Sequence, residues 1–376
     1  MLIPRIYQNL GEYLKNEKVL IIYGPRRVGK STLLKQYLSS YNLKYRLVSG
    51  DDIQVQNVLS SQDTEKISSY VQGLSLFAID EAQMVPNIGL GLKMLVDNNP
   101  NISVIATGSS SFDLQNKVGE PLTGRKRTLC LYPISQLELK TLYSPFELKQ
   151  QLEKRLIFGS YPEVLTALSD NDRQLVLTEI VNSYLLKDIL ELENVKGSKV
   201  LVDLLRLVAF QVGSEVSISE LADSLDLDKN TVARYLNLFE KSFVLYNLRG
   251  FSRNMRKEVT KKSKYFFYDN GIRNALIANF NSLEIRDDVG KLWENFLVIE
   301  RLKKQAYSSM LSNNYFWRTW DQSEVDFVEE REGKVFAYEF KYSSKKTASL
   351  PIDFKDNYPN SEFKVINPEN YLEFVG

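Results

Sequence analysis

The residues in this chain best equipped for chemistry begin at position 24. Gly24-Pro25-Arg26-Arg27-Val28-Gly29-Lys30-Ser31-Thr32 sets two glycines, a lysine and two hydroxyls in the spacing Gly-x4-Gly-Lys-Ser. Glycines let backbone amides wrap round a phosphate chain, and the amides that open the following helix point at its negative charge. Lys30 reaches the β and γ phosphates of ATP, and Ser31 offers its hydroxyl to Mg2+. Asp80-Glu81 bring what hydrolysis would add: Asp80 holds Mg2+ through water, and Glu81 orients or deprotonates the attacking water. Ser109, in the hydroxyl run Thr107-Gly108-Ser109-Ser110-Ser111, senses a γ-phosphate or simply caps a helix. Arg125, in Gly124-Arg125-Lys126-Arg127, acts on the phosphate charge from its own or a neighbouring subunit, or is a solvated basic turn.

Such side chains need elements to hold them. Val19-Leu20-Ile21-Ile22 is an apolar run that reads as a strand buried on both faces, and Leu33, Leu34, Tyr37 and Leu38 recur at helical spacing after the loop. Leu76-Phe77-Ala78-Ile79 and Ile102-Ser103-Val104-Ile105-Ala106 read as further strands of one parallel sheet. Their carboxyl ends carry the acidic pair and the hydroxyl run, at the edge where open α/β sheets bind ligands.

In this order and spacing, GPRRVGKST, LFAIDEAQ, VIATGSSSFDL and PLTGRKRTLCLYPIS resemble the AAA-type ATPases of bacteria and archaea that carry a C-terminal domain of unknown function (DUF4143). Phe158-Gly159-Ser160-Tyr161-Pro162-Glu163 and Tyr184-Leu185-Leu186-Lys187-Asp188-Ile189 resemble that family's lid region. The resemblance implies an ATP-binding and ATP-hydrolysing protein, with a helical lid after the sheet.

From about residue 197 the pattern changes to short helices and tight turns. Ser217-Ile218-Ser219-Glu220 is a capping box before one helix, Leu227-Asp228-Lys229 is a turn, and Thr231 to Ser242 forms a second helix. Lys229, Asn230, Arg234, Asn237 and Lys241 stay outside, able to meet phosphates or base edges. Val244 to Leu248 and Tyr265 to Tyr268 read as two strands of a wing. Between them, residues 249–264 hold Arg249, Arg253, Arg256, Lys257, Lys261, Lys262 and Lys264 against the single acid Glu258. That density suits DNA, with residues 229–264 as its contact surface; the other reading is a packing module with a solvated charged loop.

The last third holds a helix from Gly290 to Leu297, a hairpin from Tyr315 to Val328, and Val335-Phe336-Ala337-Tyr338-Glu339-Phe340-Lys341. The period of two sends Phe336, Tyr338 and Phe340 to a core face and Ala337, Glu339 and Lys341 to the other. This resembles the PD-(D/E)xK nuclease fold, and the matching residues are Glu294, Asp326, Glu339 and Lys341. The resemblance implies that the carboxylates, Asp326 and Glu339 foremost, hold one or two Mg2+ or Mn2+ while Lys341 activates water. The plainer reading is an amphipathic strand on a fold retained as scaffold.

Composition narrows the chemistry. There is no histidine in 376 residues, which removes histidine-based acid/base work and histidine-ligated zinc, and Cys130 is the single cysteine. Lys and Arg total 48 against 47 Asp and Glu, so any attraction for a polyanion is local. No apolar run has the length of a membrane span, and the start MLIPRIYQNL lacks an export signal. A cytoplasmic protein is expected. The expected architecture is an α/β P-loop NTPase with a parallel sheet over 1–140, a helical lid over 141–196, a winged helix-turn-helix over 197–272, and an α+β PD-(D/E)xK nuclease-like domain over 273–376. The function this implies is an AAA-type ATPase acting on DNA with a metal-dependent nuclease-like domain. The alternative is a nucleotide-controlled switch with an inactive nuclease fold, binding DNA, a protein partner or a second copy of itself.

Overall fold

The apolar run at Val19 becomes strand β1 (Val19–Tyr23), whose alternate side chains serve two cores. Val19 and Ile21 face one core and Leu20 and Ile22 the other, all four fully or almost fully buried. The structure is a computed structural model and describes residues 3–108, 122–185, 198–251, 263–319 and 321–376. Around β1 stand β2 (Tyr45–Ser49), β3 (Leu76–Asp80), β4 (Ser103–Gly108) and β5 (Lys126–Cys130), in the order β2-β3-β4-β1-β5. Every pairing in this sheet is parallel. Parallel neighbours need crossover connections, and helices supply them. Helix α1 (Lys30–Ser39) packs Leu33, Leu34 and Leu38 on the Leu20 face, while α2 (Ile53–Leu59), α3 (Thr64–Val71) and α4 (Ile88–Asn98) cover the Ile21 face. The expected parallel P-loop NTPase sheet is therefore the fold of the N-terminal third.

After β5 the chain is helical: α5 (Gln136–Leu139), α6 (Pro145–Gln150), α7 (Leu152–Phe158), α8 (Pro162–Thr166) and α9 (Asp170–Glu179). Ser135, Ser144 and Ser169 open α5, α6 and α9 with capping boxes, which satisfy amide groups that the helices leave unpaired. The turn Gly159-Ser160 is built around Asp269. A Cβ on Gly159 would overlap the Asp269 carboxylate, which accepts from the Ser160 N–H at 2.7 Å and the Gly271 N–H at 2.9 Å.

The next elements run α10 (Ser198–Phe210), β6 (Glu215–Val216), α11 (Ile218–Leu225), α12 (Lys229–Lys241), β7 (Leu245–Gly250) and β8 (Ser263–Phe267). Then come α13 (Asn270–Leu276), the long α14 (Val289–Tyr307), β9 (Asn313–Arg318), β10 (Glu324–Arg331), β11 (Lys334–Phe340), α15 (Ile352–Asn357), β12 (Glu362–Ile366) and α16 (Tyr371–Val375). Among the described residues, the strands after β5 belong to one seven-stranded sheet, β12-β11-β10-β9-β7-β8-β6. It passes straight through residue 272, because β7 pairs with β9 in parallel at Arg249 with Tyr315 and Gly250 with Phe316. Helix α14 lies on one face, with Trp293, Phe296 and Leu297 in the same core as Phe327, Tyr338 and Phe340. The opposite face differs from expectation. Val335 and Ala337 do not point to solvent; they join Val325, Val328 and Phe354 of α15 in a second buried cluster. Only the end of β11 near Glu339 and Lys341 stays half-exposed.

Candidate functional site

The loop between β1 and α1 is shaped by close contact. Gly24 has φ +146°, and a Cβ there would run into the Leu131 carbonyl oxygen, so only glycine fits. Lys30 is 6% exposed and donates to the carbonyls of Gly24 at 3.0 Å and Pro25 at 2.7 Å. Its ammonium thus lies against the start of the loop, within the span of backbone that would cradle phosphates. Arg27, at φ +61°, reaches the helices that follow β5 and pairs with Glu163 at 2.8 Å and Glu179 at 2.7 Å. Pro25 and Arg26 border Phe243 and Tyr268 of the following half. Val28, Gly29, Thr32 and Leu33 line one wall of a cavity of about 240 Å3, closed by Ile134 and Pro162.

The carboxyl ends of β3 and β4 meet this loop. Ser31 Oγ donates to Asp80 Oδ1 at 3.0 Å, Thr107 Oγ1 donates to the same oxygen, and Thr107 Oγ1 accepts from the Glu81 N–H at 3.2 Å. Glu81 takes a left-handed conformation at φ +52°, and its carboxylate accepts from the Gln83 amide. A hydroxyl and a carboxylate oxygen converge here, both hard donors, so the pair Ser31 and Asp80 fits Mg2+. Thr107 was legible only as one member of a hydroxyl run; the structure singles it out, whereas Ser109 lies outside the described residues.

Arg125 is a correction. With β1 and β5 parallel and Val19 opposite Lys126, Arg125 sits where β1 begins, while the loop follows where β1 ends. The strand length separates them by roughly 16 Å. Its guanidinium pairs with Asp97, so the same-subunit role on phosphate falls.

The C-terminal quartet meets at the other sheet. Glu294 on α14, Asp326 on β10, Glu339 on β11 and Lys341 just beyond it are close enough to perturb one another. Burial first, and then the like charges of Glu294 and Glu339, push the Asp326 carboxyl well above its usual range. Asp326 follows Val325 at a β-bulge against β9, a device that re-aims side chains. Asp326 Oδ2 accepts from the Phe340 N–H at 2.7 Å, and Lys341 Nζ meets Glu339 Oε1 at 2.5 Å.

Sequence reasoning missed the centre of this cluster. Lys264, grouped above with the DNA-facing charges, is 2% exposed and donates to Glu294 Oε1 at 3.2 Å and to Glu324. Burial alone would lower its pKa; Glu294 and Glu324 override this and raise it. Arg318 approaches Glu324 at 3.7 Å as well. Among the described residues, no group of three or more Asp, Glu or Cys is arranged to hold a metal ion. At the place expected to hold a second Mg2+ or Mn2+, Glu339 is already paired with Lys341 and the neighbouring Glu294 with Lys264.

On the surface assigned to DNA, Lys229, Asn230, Arg234, Asn237 and Arg249 are exposed and Lys241 is half-buried. Arg253, Arg256, Lys257, Lys261 and Lys262 lie outside the described residues.

Three family models match successive parts of the chain. Residues 16–140 match the AAA domain. The first third is a P-loop domain of the AAA type. Residues 149–283 match a domain of unknown function (DUF8612), and residues 289–372 match another (DUF4143). An uncharacterized protein of Haemophilus influenzae is 26% identical over 380 residues, covering 93% of this chain and 90% of that one. Uncharacterized proteins of Mycobacterium tuberculosis and Methanocaldococcus jannaschii are 27% and 24% identical, covering 89% and 88% of this chain and 73% and 76% of theirs. Among solved structures, the chain is similar to a signal transduction ATPase with numerous domains (STAND) from Pyrococcus horikoshii, at TM-score 0.30 and 14% identity, over 81% of this chain and 46% of that one. Among the described residues, no helix is long and apolar enough to cross a membrane.

Proposed function

We propose that this protein is an ATP-hydrolysing switch that carries its nucleotide in the loop at residues 24–32 and passes the nucleotide state to a partner held by its second half. The observation that carries this reading is the meeting of Ser31, Asp80 and Thr107 at the sheet edge beside Lys30. Lys30 and the amides opening α1 bind the phosphates, the cavity beside Val28 and Leu33 takes the base, and Glu81 orients water. Mg2+ held by Ser31 and Asp80 would neutralise charge building between the β and γ phosphates. Thr107 keeps Asp80 and Glu81 in register. For the partner we favour DNA at α12, because α10, β6, α11, α12, β7 and β8 follow one another in the order of a winged helix, with β8 between β6 and β7. Lys229, Asn230, Arg234 and Asn237 would meet the duplex.

The second reading is metal-dependent cleavage at Glu294, Asp326, Glu339 and Lys341, favoured by their nearness. It stands behind the first because Lys264 and Lys341 already neutralise Glu294 and Glu339. Three measurements decide: phosphate release from MgATP, a gel shift with duplex DNA at rising salt, and plasmid nicking with Mn2+. ATP turnover that Glu81→Gln slows about 100-fold while binding persists supports the switch. Equal turnover by Glu81→Gln overturns the catalytic assignment, and nicking that Asp326→Asn abolishes installs the second reading.

A further inference from the structure

Arg5 lies outside every motif above, yet its guanidinium reaches the phosphate loop from below. It is 7% exposed, and Nη1 donates to the Val28 carbonyl oxygen at 2.7 Å. Nε donates to Glu138 Oε1 at 2.8 Å, and Nη2 donates to the Tyr132 carbonyl at 2.6 Å and to the Tyr307 hydroxyl at 3.3 Å. Glu138 is itself fixed, since it accepts from the Ile6 N–H and from both the N–H and hydroxyl of Ser135. Tyr307 ends α14, the same helix that carries Glu294, and its hydroxyl also accepts from the Tyr132 N–H at 3.0 Å.

The Val28 carbonyl belongs to the peptide that links Val28 to Gly29. A trans peptide is planar, with its C=O and N–H pointing in opposite directions, and no peptide here is cis. With the oxygen held by Arg5, the Gly29 N–H must face away from the buried arginine. Among the described residues, that N–H donates to no protein atom. The Arg5 hydrogen bond to that oxygen holds the peptide in this orientation. Gly29 has φ +94°, and no atom lies within 4 Å of where its Cβ would be. A half-turn of the peptide would take φ to about −90°, which glycine accepts equally. The turned peptide would aim a carbonyl oxygen, rather than an N–H, at a bound phosphate.

We propose that Arg5, braced by Glu138 and Tyr307, is a positioning residue of the nucleotide site, locking the Val28–Gly29 peptide so that its N–H faces the phosphates. This rests on the loop at residues 24–32 binding a nucleotide. It makes the end of α14, from the far half of the chain, a part of the phosphate site. It also separates two kinds of affinity, because peptide orientation matters to an anion and not to a base.

The test uses the full chain and two probes, Mg-tripolyphosphate and adenosine, with thermal melting as a check on folding. Arg5→Met should weaken tripolyphosphate binding at least 10-fold and adenosine binding several-fold less, although Arg5 also lines the cavity assigned to the base. Arg5→Lys, able to make one of the bonds, should recover part of the loss. Tyr307→Phe should weaken tripolyphosphate about 3-fold, with no further loss when combined with Arg5→Met. Tripolyphosphate binding at the wild-type level in Arg5→Met, or an equal loss of both probes, overturns the proposal. Should Arg5→Met fail to fold, unchanged tripolyphosphate affinity in both Arg5→Lys and Tyr307→Phe overturns it. Failure of the wild-type protein to bind MgATP while it binds tripolyphosphate would sink the ATP reading and leave the role of Arg5 standing.

Discussion

Carboxylates gather in two places in this molecule, and their companions differ. At the ends of β3 and β4, Asp80 is held by the hydroxyls of Ser31 and Thr107, and the nearby Lys30 ammonium rests on backbone carbonyls. Where β10 begins and β11 ends, Glu294 and Glu324 share Lys264, and Glu339 holds Lys341. A hydroxyl fixes a carboxylate without cancelling its charge, so Asp80 keeps its attraction for a cation. A buried ammonium cancels it. The first arrangement can exchange neutral donors for a metal at little cost, whereas the second must first expel a lysine into a place where it has no partner. Convergence of acids is therefore a poor guide to metal binding unless the cations already present are counted.

The contrast can be broken most directly at its two lysines. Lys30→Ala should lower MgATP affinity at least 100-fold in calorimetric titration with little effect on melting, since that ammonium would act on ligand. Lys264→Met should do the reverse, leaving nucleotide affinity intact and lowering the melting temperature by about 10 °C, because Glu294 would be left buried and unpaired. Adding Glu294→Gln to Lys264→Met should restore part of that loss, and a deeper fall would contradict the pairing. Asp269 sharpens the comparison, being a buried carboxylate held by backbone N–H groups. Burial raises its carboxyl to about 6 from the usual 3.8, against the pull of Lys303 and those donors. Its stabilising neutral form is full below the unfolded value and is lost as pH rises through about 6. Asp269→Asn should thus show a flatter melting profile than the wild type between pH 4 and 6, differing by a few degrees. An identical slope would remove Asp269 from the titration. The smallest effect belongs to Arg125→Ala, which should change ATP turnover per chain less than 2-fold at low protein concentration.

The phosphate loop was legible because its parts are neighbours in sequence and its demands are local: a glycine that must accept φ +146° and a lysine and serine opening a helix. The parallel sheet was legible from apolar runs long enough to be buried on both faces. Arg125 misled because proximity to a strand says nothing about which end of the sheet is reached; it precedes β5, and what precedes a parallel strand lies opposite the ligand edge. Lys264 misled because a charge count cannot see burial, although its neighbours Tyr265, Phe266 and Phe267 on β8 gave a signal that the lysine lay inside a core strand. The segment Phe158 to Glu163 identified a family without chemistry until the fold brought Asp269 to Ser160 and Arg27 to Glu163. Arg5 and Tyr307 are 302 residues apart, and no local pattern joins them.

The pairing of β7 with β9 has a consequence for heredity as well as mechanics. A chain cut near residue 272 would leave raw strand edges on both fragments, and such edges recruit other strands. A gene that lost or exchanged its last third at that point would release two sticky products instead of two working modules. The seam at Arg249 and Gly250 thus makes the two halves one unit, which a cut between them would expose on both sides.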